Sequence, residues 1–333
     1  MTSKEIIRRL IEHDAPERLG YDFLDQTDFL LVEGRKFINL PENPYAEWGD
    51  YPELKKIANF TGEVHKDVHG NIYGRFNGKT NGECVWGVVQ DWDDYEYFIP
   101  EFDPTYGAKL RADGLPSCDK YVISYAGSLF SPLRDARLIA NALADTITDP
   151  DKVTEFVDRL VEDEINIIKT MAGSGINGWF MFDDWGTQDR TFISPAAFRE
   201  LFKPGYRRIA DAVHEAGMHL FLHSCGYNYA FIEDYIDAGI DVLQFDQPDA
   251  YPAEVLAKEF AHRVCFYSPV DIQKVLPTGD RAFIERRALE MCEMFRAAGG
   301  GMIIKDYPAY GDIGVEPEWA KWAQNVITAN SKL

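Results

Sequence analysis

Gly178-Trp179-Phe180-Met181-Phe182-Asp183-Asp184 is followed, after an amphipathic stretch from Ser194 to Gly217, by His219-Leu220-Phe221-Leu222-His223-Ser224-Cys225-Gly226. Each quoted run is a short apolar segment that ends in polar residues. The stretch between them has recognisable helix ends: Ser194 as a cap, Pro195 at the first helical position and Gly217 as a stop. Strand, helix, strand in this order predicts a parallel β/α unit, because parallel neighbours need a crossover connection. Pro204 lies inside the helical pattern and is expected to kink or split it.

The same alternation extends outward from this unit. Further strands are expected at Tyr121–Tyr125, Val242–Phe245, Val264–Tyr267 and Gly301–Ile304. Helices are expected from Asp149-Pro150 to Ala172, and over Tyr229–Ala238, Pro252–Ala261, Asp280–Ala298 and Glu316–Asn330. An eight-fold barrel needs two strands more than the six that follow Lys120. Arg18–Phe23 supplies one, and the other has to come from the region between about 30 and 118, where the pattern does not place it. An open doubly wound sheet is the alternative. No glycine-rich phosphate fingerprint follows the first strand, so we read residues 1–333 as a single α/β domain, a (β/α)8 TIM-type barrel. Residues 30–118 are aromatic, acidic and turn-rich. His69–Phe76 and Glu83–Val89 predict a β-hairpin turning at Asn77-Gly78, and the whole region reads as an N-terminal elaboration, a flap over one mouth of the barrel.

Composition narrows the function. The chain has 333 residues, 46% apolar and 27% charged, which fits a folded globular protein and excludes disorder as the main state. Its formal charge of −21 argues against nucleic acid and anionic membranes as partners. The basic pairs Arg8/Arg9, Arg207/Arg208 and Arg286/Arg287 read as solvated helix faces. No apolar run approaches the roughly 20 residues of a membrane span, and Met1–Ile11 has no apolar core, so a cytoplasmic location is expected. The five cysteines, Cys84, Cys118, Cys225, Cys265 and Cys292, are odd in number and widely spaced, which points to free thiols or metal ligands.

In a β/α barrel the site lies at the C-terminal ends of the strands. Those ends read Asp183-Asp184-Trp185, His223-Ser224-Cys225-Gly226, Asp246-Gln247, Ser268-Pro269-Val270-Asp271 and Lys305-Asp306-Tyr307. Residues i and i+2 of an extended segment share a side, so His223 and Cys225 can offer nitrogen and sulfur to one ion, a pair suited to Zn2+. Asp183 and Asp184 point to opposite sides, so one of them faces the site as base, ligand or hydrogen-bond acceptor, and a helix cap is the competing role. We take Asp183, with Tyr307, as the catalytic candidate. Trp185, Tyr227, Asn228 and Gln247 are the candidate substrate-binding residues. Tyr229 and Tyr310 add to an aromatic mouth compatible with a flat apolar ligand.

Taken together, several of these segments resemble the uroporphyrinogen decarboxylase superfamily. They are Asp183-Asp184-Trp185-Gly186, Ile193-Ser194-Pro195, Phe198-Arg199-Glu200-Leu201-Phe202, Pro204, Arg208-Ile209, Leu222-His223-Ser224-Cys225-Gly226, Gly239-Ile240-Asp241-Val242 and Gly299-Gly300-Gly301-Met302-Ile303-Ile304. The resemblance spans roughly residues 60–330 and implies a single β/α barrel. One branch of that superfamily decarboxylates a tetrapyrrole and carries an arginine-rich stretch that grips its carboxylates. Here the corresponding residues, Ala15-Pro16-Glu17-Arg18-Leu19-Gly20-Tyr21-Asp22-Phe23, lack it. The other branch is similar to methylcobalamin:coenzyme M methyltransferases, which bind zinc through an H-x-C pair and a later cysteine. His223 and Cys225 match the pair. The later region reads Lys305-Asp306-Tyr307-Pro308-Ala309-Tyr310, with no cysteine, and Asp306 is taken as the substitute third ligand.

The resemblance therefore implies a methyltransferase. It would move a methyl group from a small methylated compound, a methoxylated aromatic first among them, to a corrinoid carried by a partner protein. Zn2+ or an acid would activate the leaving heteroatom. A decarboxylase-like lyase and a non-catalytic corrinoid or small-ligand binding protein are the alternatives.

Overall fold

Side-chain alternation along the strands builds this molecule. The computed structural model describes residues 1–38, 40, 46–47, 51–56, 62–75, 82–251 and 253–333. Eight parallel strands, β1 (Gly20–Asp22), β2 (Phe29–Val32), β7 (Tyr121–Tyr125), β8 (Gly178–Phe182), β9 (His219–His223), β10 (Val242–Gln244), β11 (Cys265–Ser268) and β12 (Met302–Lys305), form one sheet in the order β1-β12-β11-β10-β9-β8-β7-β2. The sheet curls into a nearly closed TIM-type barrel. Its seam lies between β1 and β2, which a tight turn joins through an antiparallel bridge of Asp22 with Thr27. The strand that the sequence pattern left unplaced is β2. It is only four residues long, with two of them exposed, and so lacks the apolar run that marks its neighbours.

Along each strand one parity faces inward. Phe29, Tyr121, Ile123, Phe180, Phe221, Val242, Cys265, Tyr267 and Ile303 form an interior cluster, together with Ile6, Ile7, Leu10 and Ile11 of the helix Ser3–Ile11, which plugs the bottom. The opposite parity, such as Trp179, Met181, Leu220, Leu222, Leu243, Phe266 and Ile304, packs into the larger layer under the surrounding helices. The predicted long helix is split at Pro204, giving Pro195–Leu201 and Lys203–Glu215. Among the described residues, no helix is long and apolar enough to cross a membrane.

A second, antiparallel sheet has the order β3-β4-β5-β6 (Ala46–Glu47, Glu63–Lys66, Ile72–Arg75, Glu83–Trp86). β5 and β6 are the predicted hairpin. Its Asn77-Gly78 turn lies outside the described residues. The sheet is tied to the helix Phe130–Arg137, where the Tyr73 hydroxyl donates to Asp135 at 2.8 Å and the Val89 amide to the Ala136 carbonyl at 2.9 Å.

Candidate metal centre and substrate cavity

Parity continued past the strand ends sets the site. His223 and Cys225 prolong the inward side of Phe221. Asp184 prolongs the inward side of Phe180 and Phe182, so it is this aspartate that meets them. His223 Nε2 lies 3.3 Å from Cys225 Sγ and 3.3 Å from Asp184 Oδ1. One ligand atom from each of the three residues falls within 4.8 Å of the others, the one such group of three among the described residues.

The backbone around the group is locked. The Cys225 amide donates to Asp184 Oδ1 at 2.8 Å, the Gly226 amide to Gln247 Oε1 at 3.2 Å, and the Trp185 amide to Ser224 Oγ at 3.0 Å. Gly226 has φ of +81°, and a Cβ there would lie 2.2 Å from the Gly186 carbonyl, so the turn that releases Cys225 into the site requires glycine.

His223 is oriented from behind. Its Nδ1 meets Gln244 Oε1, whose amide nitrogen donates to Asp246 at 2.6 Å. With the amide fixed that way round, Nδ1 donates to Gln244 and Nε2 is the nitrogen that meets Cys225 and Asp184: protonated, it donates to them, and a metal displacing that proton would receive its lone pair, the outer-shell arrangement of a metal-ligating histidine. Asp246 in turn pairs with Lys305 Nζ at 2.9 Å. Burial opposes charge on His223, but its hydrogen bonds to Asp184 and Cys225 outweigh that and push its pKa up to about 10. Burial also acts to raise the Asp184 pKa, and His223 more than reverses it. Asp184 and Cys225 thus favour positive charge at His223 Nε2. The N, S and O donors suit zinc, and the two 3.3 Å separations match the about 3.3–3.7 Å edges of a tetrahedron with zinc bonds of about 2.0–2.3 Å.

The cluster borders a cavity of about 480 Å³ at the C-terminal mouth, with His223 in its wall. Phe180, Phe182, Tyr125, Tyr267 and Tyr307 supply apolar surface, and Asp22, Gln244, Asp246, Lys305 and Asp306 supply polar groups. Tyr307 is half-buried, and burial raises its pKa.

Several predicted site residues sit elsewhere. Asp183 has the outward parity of Trp179 and Met181 and is fully buried. It accepts the amides of Leu129, Phe130 and Ser131 at 2.7–3.0 Å, at the start of the helix Phe130–Arg137, and the Tyr206 hydroxyl at 2.5 Å. Burial raises its pKa, against the pull of these donors. Its role is that of a helix cap, and the site-facing carboxylate is Asp184. Asp306 likewise has outward parity. Gln324 reaches both its oxygens at 2.7 Å, and the Tyr310 hydroxyl and Leu24 amide complete its shell. The carboxylate gathered with His223 and Cys225 is therefore Asp184 in place of Asp306. Trp185 is core, stacked on Phe130 at 4.4 Å and bonded to Tyr206. Asn228 is fully buried, its amide holding the carbonyls of Ser224, Cys225 and Gly226. Gln247 holds Gly226, and Tyr227 packs beside Tyr251 at 5.5 Å. All five cysteines are free thiols.

The family model described as Uroporphyrinogen decarboxylase (URO-D) matches residues 123–305, just over half of the 333 residues. No curated protein sequence matches. Among solved structures, a methyltransferase from Methanosarcina mazei superposes with a TM-score of 0.59 at 12% identity, covering 99% of each chain. An endo-β-1,4-xylanase from Gloeophyllum trabeum gives 0.41 at 8% identity, covering 72% of this chain and 83% of its own. A 2,3-dimethylmalate lyase gives 0.39 at 12%, covering 94% and 83%. At such identities the first of these likenesses speaks for a shared fold.

Proposed function

The chain belongs to the uroporphyrinogen decarboxylase (URO-D) family, and within it we propose that this protein is a methyltransferase that passes a methyl group from a small methylated compound to a corrinoid held by a partner protein. The observation that carries the reading is the convergence of His223, Cys225 and Asp184 at the edge of an aromatic cavity. Three protein donors beside a cavity that His223 lines are the pattern of a catalytic rather than a structural zinc. A zinc ion held there would supply Lewis acidity, lowering the basicity of the donor's leaving heteroatom.

The chain's own residues do the rest. Gln244 fixes the His223 tautomer, and Asp184 and the Gly226 turn fix Cys225. Phe180 and Phe182 keep one side of the cavity apolar and exclude water from the reacting centre. The rings give a methoxylated aromatic a surface to stack on. Tyr307, on the cavity wall, is the group able to steady or protonate a departing oxygen.

A tetrapyrrole decarboxylase must bind several carboxylates. This cavity offers one lysine, already paired with Asp246, so the decarboxylase reading is the weaker one.

The test is elemental analysis of protein purified without chelator, followed by methyl transfer to Co(I) corrinoid. About one zinc per chain and methyl transfer that His223→Ala abolishes support the proposal. Full activity in a metal-free protein would overturn the metal role, and absence of transfer from every methylated donor would overturn the activity.

A further inference from the structure

The cavity's charge narrows the donor beyond that reading, on which the word donor rests. Lys305 and Asp246 are each about a tenth exposed and lie 2.9 Å apart, so together they contribute no net charge. Asp22 is different. It accepts from the Thr27 hydroxyl at 2.7 Å and from the Tyr267 hydroxyl. Yet among the described residues no lysine, arginine or histidine lies within ion-pair distance of it. Lys305 stands opposite Asp22 in the β1–β12 register but is paired with Asp246, so the two carboxylates share one ammonium and leave one negative charge in excess.

Rings frame that carboxylate. Tyr125 is half exposed, and its ring meets Phe182 edge-on at 5.0 Å. Tyr267, whose hydroxyl contacts Asp22, already has one ammonium near its face, because Lys305 Nζ lies 5.8 Å from its centroid and 5.9 Å from that of Tyr307. Tyr267 is buried and stacked on Phe29 at 5.6 Å, so the open ring beside the excess carboxylate is that of Tyr125, and an exposed ring beside a carboxylate is the chemistry that recognises organic cations.

Topology places this subsite. In the strand order β1 is four steps from β9 in either direction, so Asp22 stands across the barrel from His223. A ligand spanning the mouth can set one end at His223, Cys225 and Asp184 and the other at Asp22.

We propose that the donor is an organic cation whose ammonium group sits against Asp22 and Tyr125, with its methylated heteroatom at the opposite wall. A donor bearing a carboxylate instead would face Asp22 with no free cation to receive it.

The test is calorimetric binding of three matched compounds to the purified chain with no corrinoid protein present: para-methoxybenzylammonium, para-methoxybenzyl alcohol and para-methoxybenzoate. The ammonium compound is expected to bind about tenfold tighter than the alcohol, and the benzoate more weakly than either. That preference should vanish in Asp22→Asn and shrink in Tyr125→Leu, while alcohol binding persists and reports an intact fold. Equal binding of ammonium and alcohol, a preference that survives Asp22→Asn, or no binding of the ammonium compound would overturn the inference. Because no methyl transfer is measured, the charge order can hold while the proposed activity fails, and the reverse.

Discussion

The two mouths of this barrel hold cavities of similar size, about 480 Å³ at the top and about 500 Å³ at the bottom, and both are lined by histidine and aspartate. At the bottom the groups settle pairwise. His214 Nε2 meets Asp241 at 2.8 Å, and His219 Nδ1 meets the Tyr121 hydroxyl at 2.8 Å, with Glu12 3.8 Å from its other nitrogen. At the top three donors converge on one point, and the histidine is oriented from behind through Gln244 and Asp246. Both mouths hold histidine and carboxylate, although among the described residues only the top adds a thiol, Cys225, and volume does not separate them. Convergence does, and it arises because inward parity at the ends of β8 and β9 aims Asp184, His223 and Cys225 together.

The largest contrast is expected in metal binding. Cys225→Ala and His223→Ala should lower zinc from about one per chain to under about a tenth, read by elemental analysis. His219→Ala at the bottom should leave the zinc content unchanged. Metal lost equally from both mouths' variants would show that convergence at the top is not what binds it.

Next in size is the support behind His223. Gln244→Leu removes the acceptor for Nδ1 and frees the ring to change tautomer. Zinc affinity should fall about 10–100-fold, the usual cost of losing an outer-shell partner. Competition with a chromophoric chelator would measure it. An unchanged affinity would mean that packing alone orients the imidazole.

The neighbouring aspartates sharpen the comparison within one strand end. Asp183→Asn turns an acceptor of four hydrogen bonds into a group that sets its own donors against backbone amides, at a cost of about 2–4 kcal/mol in urea unfolding. Zinc per folded chain should persist. Asp184→Asn should do the opposite, weakening zinc with little loss of stability, because Asp184 is 42% exposed.

That pair also marks how far the sequence could be read. The six strands from β7 onward, the split at Pro204 and the β5–β6 hairpin were legible, because apolar runs, proline and turn residues are local signals. β2 was not, since four residues with two exposed leave no such run. The H-x-C pair was legible from its spacing. The choice between Asp183 and Asp184, and the choice of Asp306, turned on parity: the phase that sends Phe221 and His223 inward also sends Phe182 and Asp184 inward, and Ile304 with Asp306 outward. The phase of each strand against the barrel axis is fixed by its neighbours, not by its own residues. Gln244 and Asp22 were missed for the same reason, as polar residues whose importance lies in what faces them across the barrel.

The smallest effect belongs to the bottom mouth and its pH dependence. The hydrogen bond that His214 donates to Asp241 raises the His214 pKa above its ordinary value, burial opposing it in part, so the pair stabilises the fold most when the imidazole is charged. That contribution is fully present below about pH 6.5, the ordinary histidine value, and is lost as pH rises through the raised one. His219 runs the other way: burial lowers its pKa, so its contribution is present above about pH 6.5 and lost as pH falls through the lowered value. His214→Gln should therefore destabilise the protein more at about pH 5.5 than at about pH 9. His214 is 42% exposed, and solvent screening keeps the difference to about half a kcal/mol or less. Urea unfolding at the two pH values would detect it. A difference that does not change with pH would mean that His214 and Asp241 are joined by a neutral hydrogen bond, leaving the bottom mouth without the ion pair that now makes it look like the top.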